Sequence, residues 1–221
     1  MNKKHFIIFS HGFGVKKDSK GLFPEIVKNL KDITPIFFDY NIIDDHTNEM
    51  RIQEFSKQVK ILENAINKTK TENPNAVIDI ISHSQGGLIV GLLKPLGIRK
   101  TILIAPPFST KIDKKLKYYT SRPGTIIDFD GDSRLVRSDG SISILPKEYW
   151  AERSQVGDLR EIYNDLGKVT DLIIIKALDD EVLDLDASQD VQTAKIINLC
   201  GDHNFSGGSR ELLLKTLNNQ L

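Results

Sequence analysis

Short, continuously apolar runs alternate along the chain with longer stretches in which apolar residues recur every three to four positions. The runs 5–10 (HFIIFS), 34–39 (TPIFFD), 76–82 (AVIDIIS), 100–105 (KTILIA), 171–177 (DLIIIKA) and 195–200 (KIINLC) lack polar alternation, as in Ile173-Ile174-Ile175. They predict strands buried on both faces. Between them, Phe55, Val59, Leu62 and Ile66 fall at i, i+4, i+7 and i+11, one apolar stripe on a helix predicted over about 49–70 that ends before Pro74. Further helices are expected over 21–31, from Gln85 to about Pro95, and over 208–220, where Leu212, Leu213 and Leu217 supply the buried face. Strand and helix in alternation predict parallel βα units and an α/β fold with helices on both faces of a mostly parallel sheet.

One region breaks the rhythm. Residues 107–165 are too many for an ordinary βα loop and carry their own turn signals. Asp130-Gly131 and Asp139-Gly140 sit between the short alternating runs 125–129, 134–137 and 141–145, which predicts a small antiparallel excursion. We expect 107–165 to form an inserted cap, with 1–106 and 166–221 composing the core.

Composition narrows the functional classes. The 221 residues carry 30 basic and 30 acidic side chains, interspersed and summing to zero, so no chain-wide attraction to nucleic acid or anionic lipid is expected. No stretch approaches the ~18 apolar residues of a membrane span. Asn2-Lys3-Lys4 before Phe6-Ile7-Ile8-Phe9 has the charge order of a signal peptide, but the apolar run stops at Ser10-His11-Gly12, below the roughly 7–15 residues required. A cytoplasmic protein is the expectation, and Cys200, alone in the chain, excludes a disulfide scaffold.

Chemistry concentrates in a few places. Ser82-His83-Ser84-Gln85-Gly86-Gly87, between a predicted buried strand and a predicted helix, is close to the G-x-S-x-G nucleophile elbow, with serine in place of its first glycine. A serine hydroxyl needs a base oriented by a carboxylate. Gly201-Asp202-His203-Asn204-Phe205 follows the last strand and places His203 where such sheets gather their sites. His5 and His46 read as solvated, and His83 as a packing or hydrogen-bonding residue of the turn. For the acid, the loop after 171–177 offers Asp179 and Asp180, within an acidic segment that continues to Asp184 and Asp186. Donors for a developing oxyanion are expected from the N–H of Phe13, in His11-Gly12-Phe13-Gly14, and of Gln85. Neither G-x-G-x-x-G, G-x-x-x-x-G-K-[ST] nor a metal-ligand cluster is present, so no cofactor and no metal is expected.

These motifs together resemble the α/β-hydrolase superfamily, from about residue 5 to 220. Within it, Ser84-Gln85-Gly86-Gly87 and Asp202-His203-Asn204-Phe205 are similar to the S-Q-G-G and D-H-x-F segments of small bacterial esterases of the feruloyl or cinnamoyl type, which also carry a cap where 107–165 falls. The resemblance implies a sheet shortened to about six strands, because the antiparallel pair that usually precedes the HGF-bearing strand has no counterpart here. It selects Asp180, since such loops often show an acid two residues before valine, as in Asp180-Glu181-Val182. It implies a serine esterase acting through Ser84, His203 and Asp180 on a small-molecule ester or thioester, without cofactor. Amide hydrolysis on the same scaffold, or a hydrolase-like protein that only binds, are the rivals. Tyr118, Tyr119 and Trp150 are the cap's candidate substrate contacts; substrate identity and oligomeric state stay open.

Overall fold

A computed structural model describes residues 3–44, 46–110, 119–183 and 191–221. Six parallel strands form the main sheet: β1 (His5–Ser10), β2 (Thr34–Phe37), β5 (Val77–His83), β6 (Lys100–Ile104), β9 (Asp171–Ala177) and β10 (Ala194–Leu199), in the order β10-β9-β6-β5-β1-β2. Side chains alternate across a strand, so neighbouring apolar residues enter opposite layers. Phe6, Ile8, Ile78, Ile80, Leu103 and Ile174 face α2 (Phe55–Glu72) and α3 (Gln85–Leu93), while Ile7, Phe9, Ile81, Ile102 and Ile173 meet α1 (Leu22–Asn29) and the C-terminal helix (Gly208–Asn218). Two covered faces are why the inner strands read as apolar runs, whereas the edge strands β2 and β10 are only partly buried.

The stretch 42–51 departs from expectation. Its residues form β3 (Ile42–Asp44) and β4 (Glu49–Arg51), so α2 begins at Phe55 rather than near 49. Glu49-Met50-Arg51-Ile52-Gln53 alternates polar and apolar residues with period two, a strand signal that the longer helical stripe masks. β3 and β4 join β7 (Ser133–Val136) and β8 (Ile142–Leu145) in a second sheet of order β3-β4-β8-β7, in which β4 and β8 run parallel. Half of this small sheet therefore comes from outside 107–165. Segment 125–129 contributes only a bridge between Ile126 and Arg134.

Two helices that begin within 107–165 escape the alternation argument: α4 (Lys147–Gln155) and α5 (Leu159–Gly167). The last helix, Gly208–Asn218, is accordingly α6. Helix α5 buries Leu159, Tyr163 and Leu166, an i, i+4, i+7 stripe, and Asp158 caps it by accepting from the Arg160 N–H. It packs on α3 so closely that a Cβ on Gly91 would come within 2.7 Å of Ile162 Cγ2. In this way α5 serves as the crossover that returns the chain to β9.

Because all six strands of the main sheet are parallel, the loops that follow β1, β5, β9 and β10 open on one edge. Gly12, Ser84, Asp180 and His203 each lie in one of these loops.

Candidate active site

Ser84 sits between β5 and α3 at φ 54°, ψ −127°, a conformation that non-glycine residues avoid and that costs on the order of 1–3 kcal/mol. The turn is held by the Ser84 N–H donating to Ile104 O (2.9 Å) and the Gly87 N–H donating to Ser84 O (2.9 Å). Its small residues are sterically required. A Cβ on Gly86 would overlap the carbonyl oxygens of Ser10 and His11, and one on Gly12 would stand 3.1 Å from Ser84 Cβ. Ser82, in the position of the usual first glycine, is fully buried and points its hydroxyl at Ile102 O (3.4 Å).

The Ser84 hydroxyl lies 2.9 Å from His203 Nε2, and His203 Nδ1 lies 2.7 Å from Asp180 Oδ2. The other oxygen of Asp180 accepts the backbone N–H groups of Val182 and Leu183, both at 2.8 Å. With Asp180 ionised, Nδ1 carries the ring proton and Nε2 accepts from the serine. Burial would push the Asp180 pKa up. The hydrogen bond and charge of His203, with the two N–H donors, outweigh it and hold the carboxyl below its ordinary value. Asp179, the neighbouring candidate, points elsewhere: its Oδ2 accepts the Gly201 N–H at 3.0 Å and ties the two loops together.

The backbone of His203 is pinned on both sides. Its N–H donates to Glu181 Oε2 (3.1 Å), and its carbonyl accepts from His83 Nε2 (3.0 Å). Phe205, buried at φ 50°, anchors the loop in the layer beneath α6. His83 in turn accepts the Ser19 hydroxyl at Nδ1 (3.1 Å), so it is a neutral ring used on both edges. Desolvation, then the neighbouring His203, push its pKa down to about 3.

That shift has a stability consequence of definite sign. Below pH ~6.5 the unfolded chain takes up a proton at His83 that the folded chain refuses until about pH 3. Stability therefore falls as pH drops through this window, by on the order of 4–5 kcal/mol when complete. Burial also lowers the pKa of His11, which acts in the same direction. His83→Gln keeps an N–H donor for His203 O but cannot titrate, so its thermal midpoint should fall less than wild type between pH 7.5 and pH 5. Equal slopes in the two proteins would remove His83 from the account.

Ser84 and His203 open into a cavity of about 730 Å³, also lined by Gly12, Phe13, Tyr119 and Arg137. Phe13 thus reaches the cavity beside Ser84, and Gln85 opens α3 directly after the serine. Of the cap candidates, Tyr119 lines the cavity and Tyr118 lies outside the described residues. Trp150 is absent from the described lining. Its indole is buried, donating to Ser133 Oγ (2.9 Å) and packing edge-on against Tyr149 and Phe129, which makes it a core residue of the 107–165 segment.

Sequence reasoning missed three contributors. Tyr149 donates its hydroxyl to Gln85 Oε1 (2.7 Å) while Gln85 Nε2 donates to Gln58 Oε1 (3.2 Å), so α4 and α2 fix the side chain that follows the serine. Lys20 and Arg137 also line the cavity. The run of turn residues Asp18-Ser19-Lys20-Gly21 was the available signal for the first of these; nothing local marks Arg137.

No family model matches the chain, and no curated protein matches it by sequence. Solved structures do. Est1E from Butyrivibrio proteoclasticus in its ferulic-acid-bound form superposes with a TM-score of 0.74 at 16% identity, covering 99% of this chain and 88% of that one. An esterase of Pyrococcus furiosus gives 0.71 at 13% identity, over 98% and 80% of the two chains. A monoacylglycerol lipase of Paleococcus ferrophilus gives 0.62 at 12%, over 97% and 93%. The sheet order, the loops on one edge and these superpositions agree: the chain has the α/β-hydrolase fold.

Proposed function

We propose that the protein is a serine hydrolase of carboxylic or thio esters of a small molecule. The observation that carries this reading is the unbroken series Ser84 Oγ–His203 Nε2, Nδ1–Asp180, set on a strained turn inside a cavity. Ser84 Oγ attacks the acyl carbon while His203 Nε2 takes its proton. The N–H groups of Phe13 and Gln85 hold the oxygen that becomes negative. Gln85 is suited to this because the first N–H groups of a helix have no partner within it. His203 then returns the proton to the departing alcohol or thiol, and water, deprotonated by the same nitrogen, releases the acid from the acyl-enzyme. Asp180 keeps the imidazole in the receptive tautomer and stabilises its charged form. No step asks for a metal or organic cofactor. Among the described residues no helix is long and apolar enough to cross a membrane, and the exposed, unpaired Cys200 suits the reducing cytoplasm in which we place the enzyme.

Support also comes from the neighbours, two of which are called an esterase and a lipase in their own descriptions. A fluorophosphonate probe should modify Ser84, and 4-nitrophenyl esters of increasing acyl length should be hydrolysed at rates that probe labelling abolishes. Folded protein that neither reacts with the probe nor turns over any ester would instead make this a binding protein on a hydrolase scaffold; turnover of 4-nitroanilides in preference to esters would make it an amidase.

A further inference from the structure

Resting on the ester-hydrolase reading, we propose that Arg137 and Lys20 form an anion subsite in the Ser84 cavity, so that the preferred ester carries a carboxylate or phosphate group on its acyl or its alcohol part. Both cations line the cavity together with Ser84 and His203. Among the described residues no carboxylate lies within ion-pair distance of either.

Arg137 follows β7 at the start of the hairpin that leads to β8; its N–H donates to Ser141 O (2.9 Å), so the hairpin fixes its backbone. Its guanidinium is tucked against Gly14, whose φ of +60° and missing Cβ make the room, since a Cβ there would overlap Nη1. Among the described residues Nη1, which is buried, has no hydrogen-bond acceptor, and Ser143 Oγ, on the same side of Gly14, has no partner either. The guanidinium is thus held by packing against Gly14 rather than by an ion pair, and its charge is left uncompensated beside the cavity that Arg137 lines. Its planar fork suits the paired oxygens of carboxylate or phosphate.

Lys20 reaches the same cavity from a different loop. Ser19, Lys20 and Gly21 have φ values of 49°, 56° and 84°, three successive left-handed residues of which two are not glycine. One product of that unfavourable turn is the Ser19 bond to His83; the other is a lysine in the cavity lining. Two acids share this region, Glu181 within the lining and Asp139 beside it, and both keep their charge, so the anion is held by direct contact with the two cations. Glu181 accepts the His203 N–H, and Asp139, whose field reaches both cations, accepts the N–H and hydroxyl of Ser141.

The test compares matched esters. 4-Nitrophenyl hexanoate against the mono-4-nitrophenyl ester of adipic acid places the anion on the acyl side, and phenyl acetate against 3-acetoxybenzoate places it on the alcohol side. At low ionic strength the wild type should favour the anionic member of at least one pair by about tenfold or more in kcat/KM, the size of a charge-assisted contact. Arg137→Gln should cut that ratio by about tenfold, Lys20→Gln by less because the side chain is more exposed, and Arg137→Lys should restore part of it. Added salt should compress the ratio. The ratio is read within each variant, so a general loss of activity or stability does not mimic the effect. A wild-type ratio near or below one in both pairs, or ratios unchanged in Arg137→Gln, would overturn the subsite. If no ester is hydrolysed, the ester reading fails by itself. The subsite is then read from fluorophosphonate labelling of Ser84, which adipate or inorganic phosphate should slow in wild type but not in Arg137→Gln, and hexane-1,6-diol should leave alone; no protection by either anion would overturn it.

Discussion

Ser84→Ala should lower kcat on 4-nitrophenyl esters by about 10⁴-fold or more, because members of a nucleophile–base pair act as a unit and their loss leaves only binding and oxyanion stabilisation. The fold should survive. Alanine is no larger than serine at the crowded contact with Gly12, and the hydroxyl's only described bond is the one to His203. The strain at φ 54° remains, held by Ser84 N–H to Ile104 O and by the Gly86 packing, none of which uses the hydroxyl. His203→Ala should match this loss in rate but differ in stability. It strips the Nδ1–H from Asp180, whose side chain is 1% exposed, and leaves a buried carboxylate oxygen short of a donor, at about 1–3 kcal/mol. A kcat series alongside thermal unfolding separates the two effects. A well-folded Ser84→Ala protein that keeps ester turnover would refute the mechanism.

Much of this architecture is written locally. The inner strands of the main sheet announce themselves because burial on both faces removes any need for polar alternation; Ser84 stands directly after β5, and His203 four residues after β10. Asp180 is legible less directly, since the choice over Asp179 rests on which carboxylate turns inward. Turning inward follows from Asp180 Oδ1 accepting two N–H groups of its own loop, a short-range preference of aspartate that spacing alone does not reveal. What escaped reading depends on partners distant in sequence. β4 needs β8, nearly a hundred residues later, before Met50 has a sheet neighbour beyond Ile43 of the adjacent β3. Tyr149 looks like any aromatic of the 107–165 segment until Gln85 is beside it, and Trp150, the more conspicuous choice, spends its polar edge on Ser133. Arg137 becomes meaningful only when the hairpin lays it against Gly14. Local pattern therefore located the groups of the proposed triad, while the other residues that line the cavity came from tertiary contacts.

Asp180→Asn should cost nearly as much as losing the serine, about 10⁴-fold in kcat, and the hydrogen bonds around Asp180 explain why. Oδ1 accepts from the N–H groups of Val182 and Leu183, so in the asparagine variant this position must hold the amide oxygen; the opposite flip would set NH₂ against two donors. The amide nitrogen is thereby directed at His203 Nδ1, where Oδ2 now accepts at 2.7 Å. Nδ1 must then become an acceptor, the ring proton moves to Nε2, and Nε2 faces Ser84 as a donor that cannot take the serine proton. Geometry is preserved and the tautomer is wrong. Asp179→Asn offers the contrasting case, because its one side-chain task is to accept the Gly201 N–H, which an amide oxygen performs equally well with NH₂ turned to solvent. Its turnover should stay within about twofold of wild type, in keeping with a neutral surface substitution. Measuring kcat for both variants, with the ring tautomer of His203 read from imidazole ¹⁵N shifts, distinguishes the two roles. Loss in Asp179→Asn with retention in Asp180→Asn would move the orienting acid by one residue, and equal retention in both would leave His203 without one.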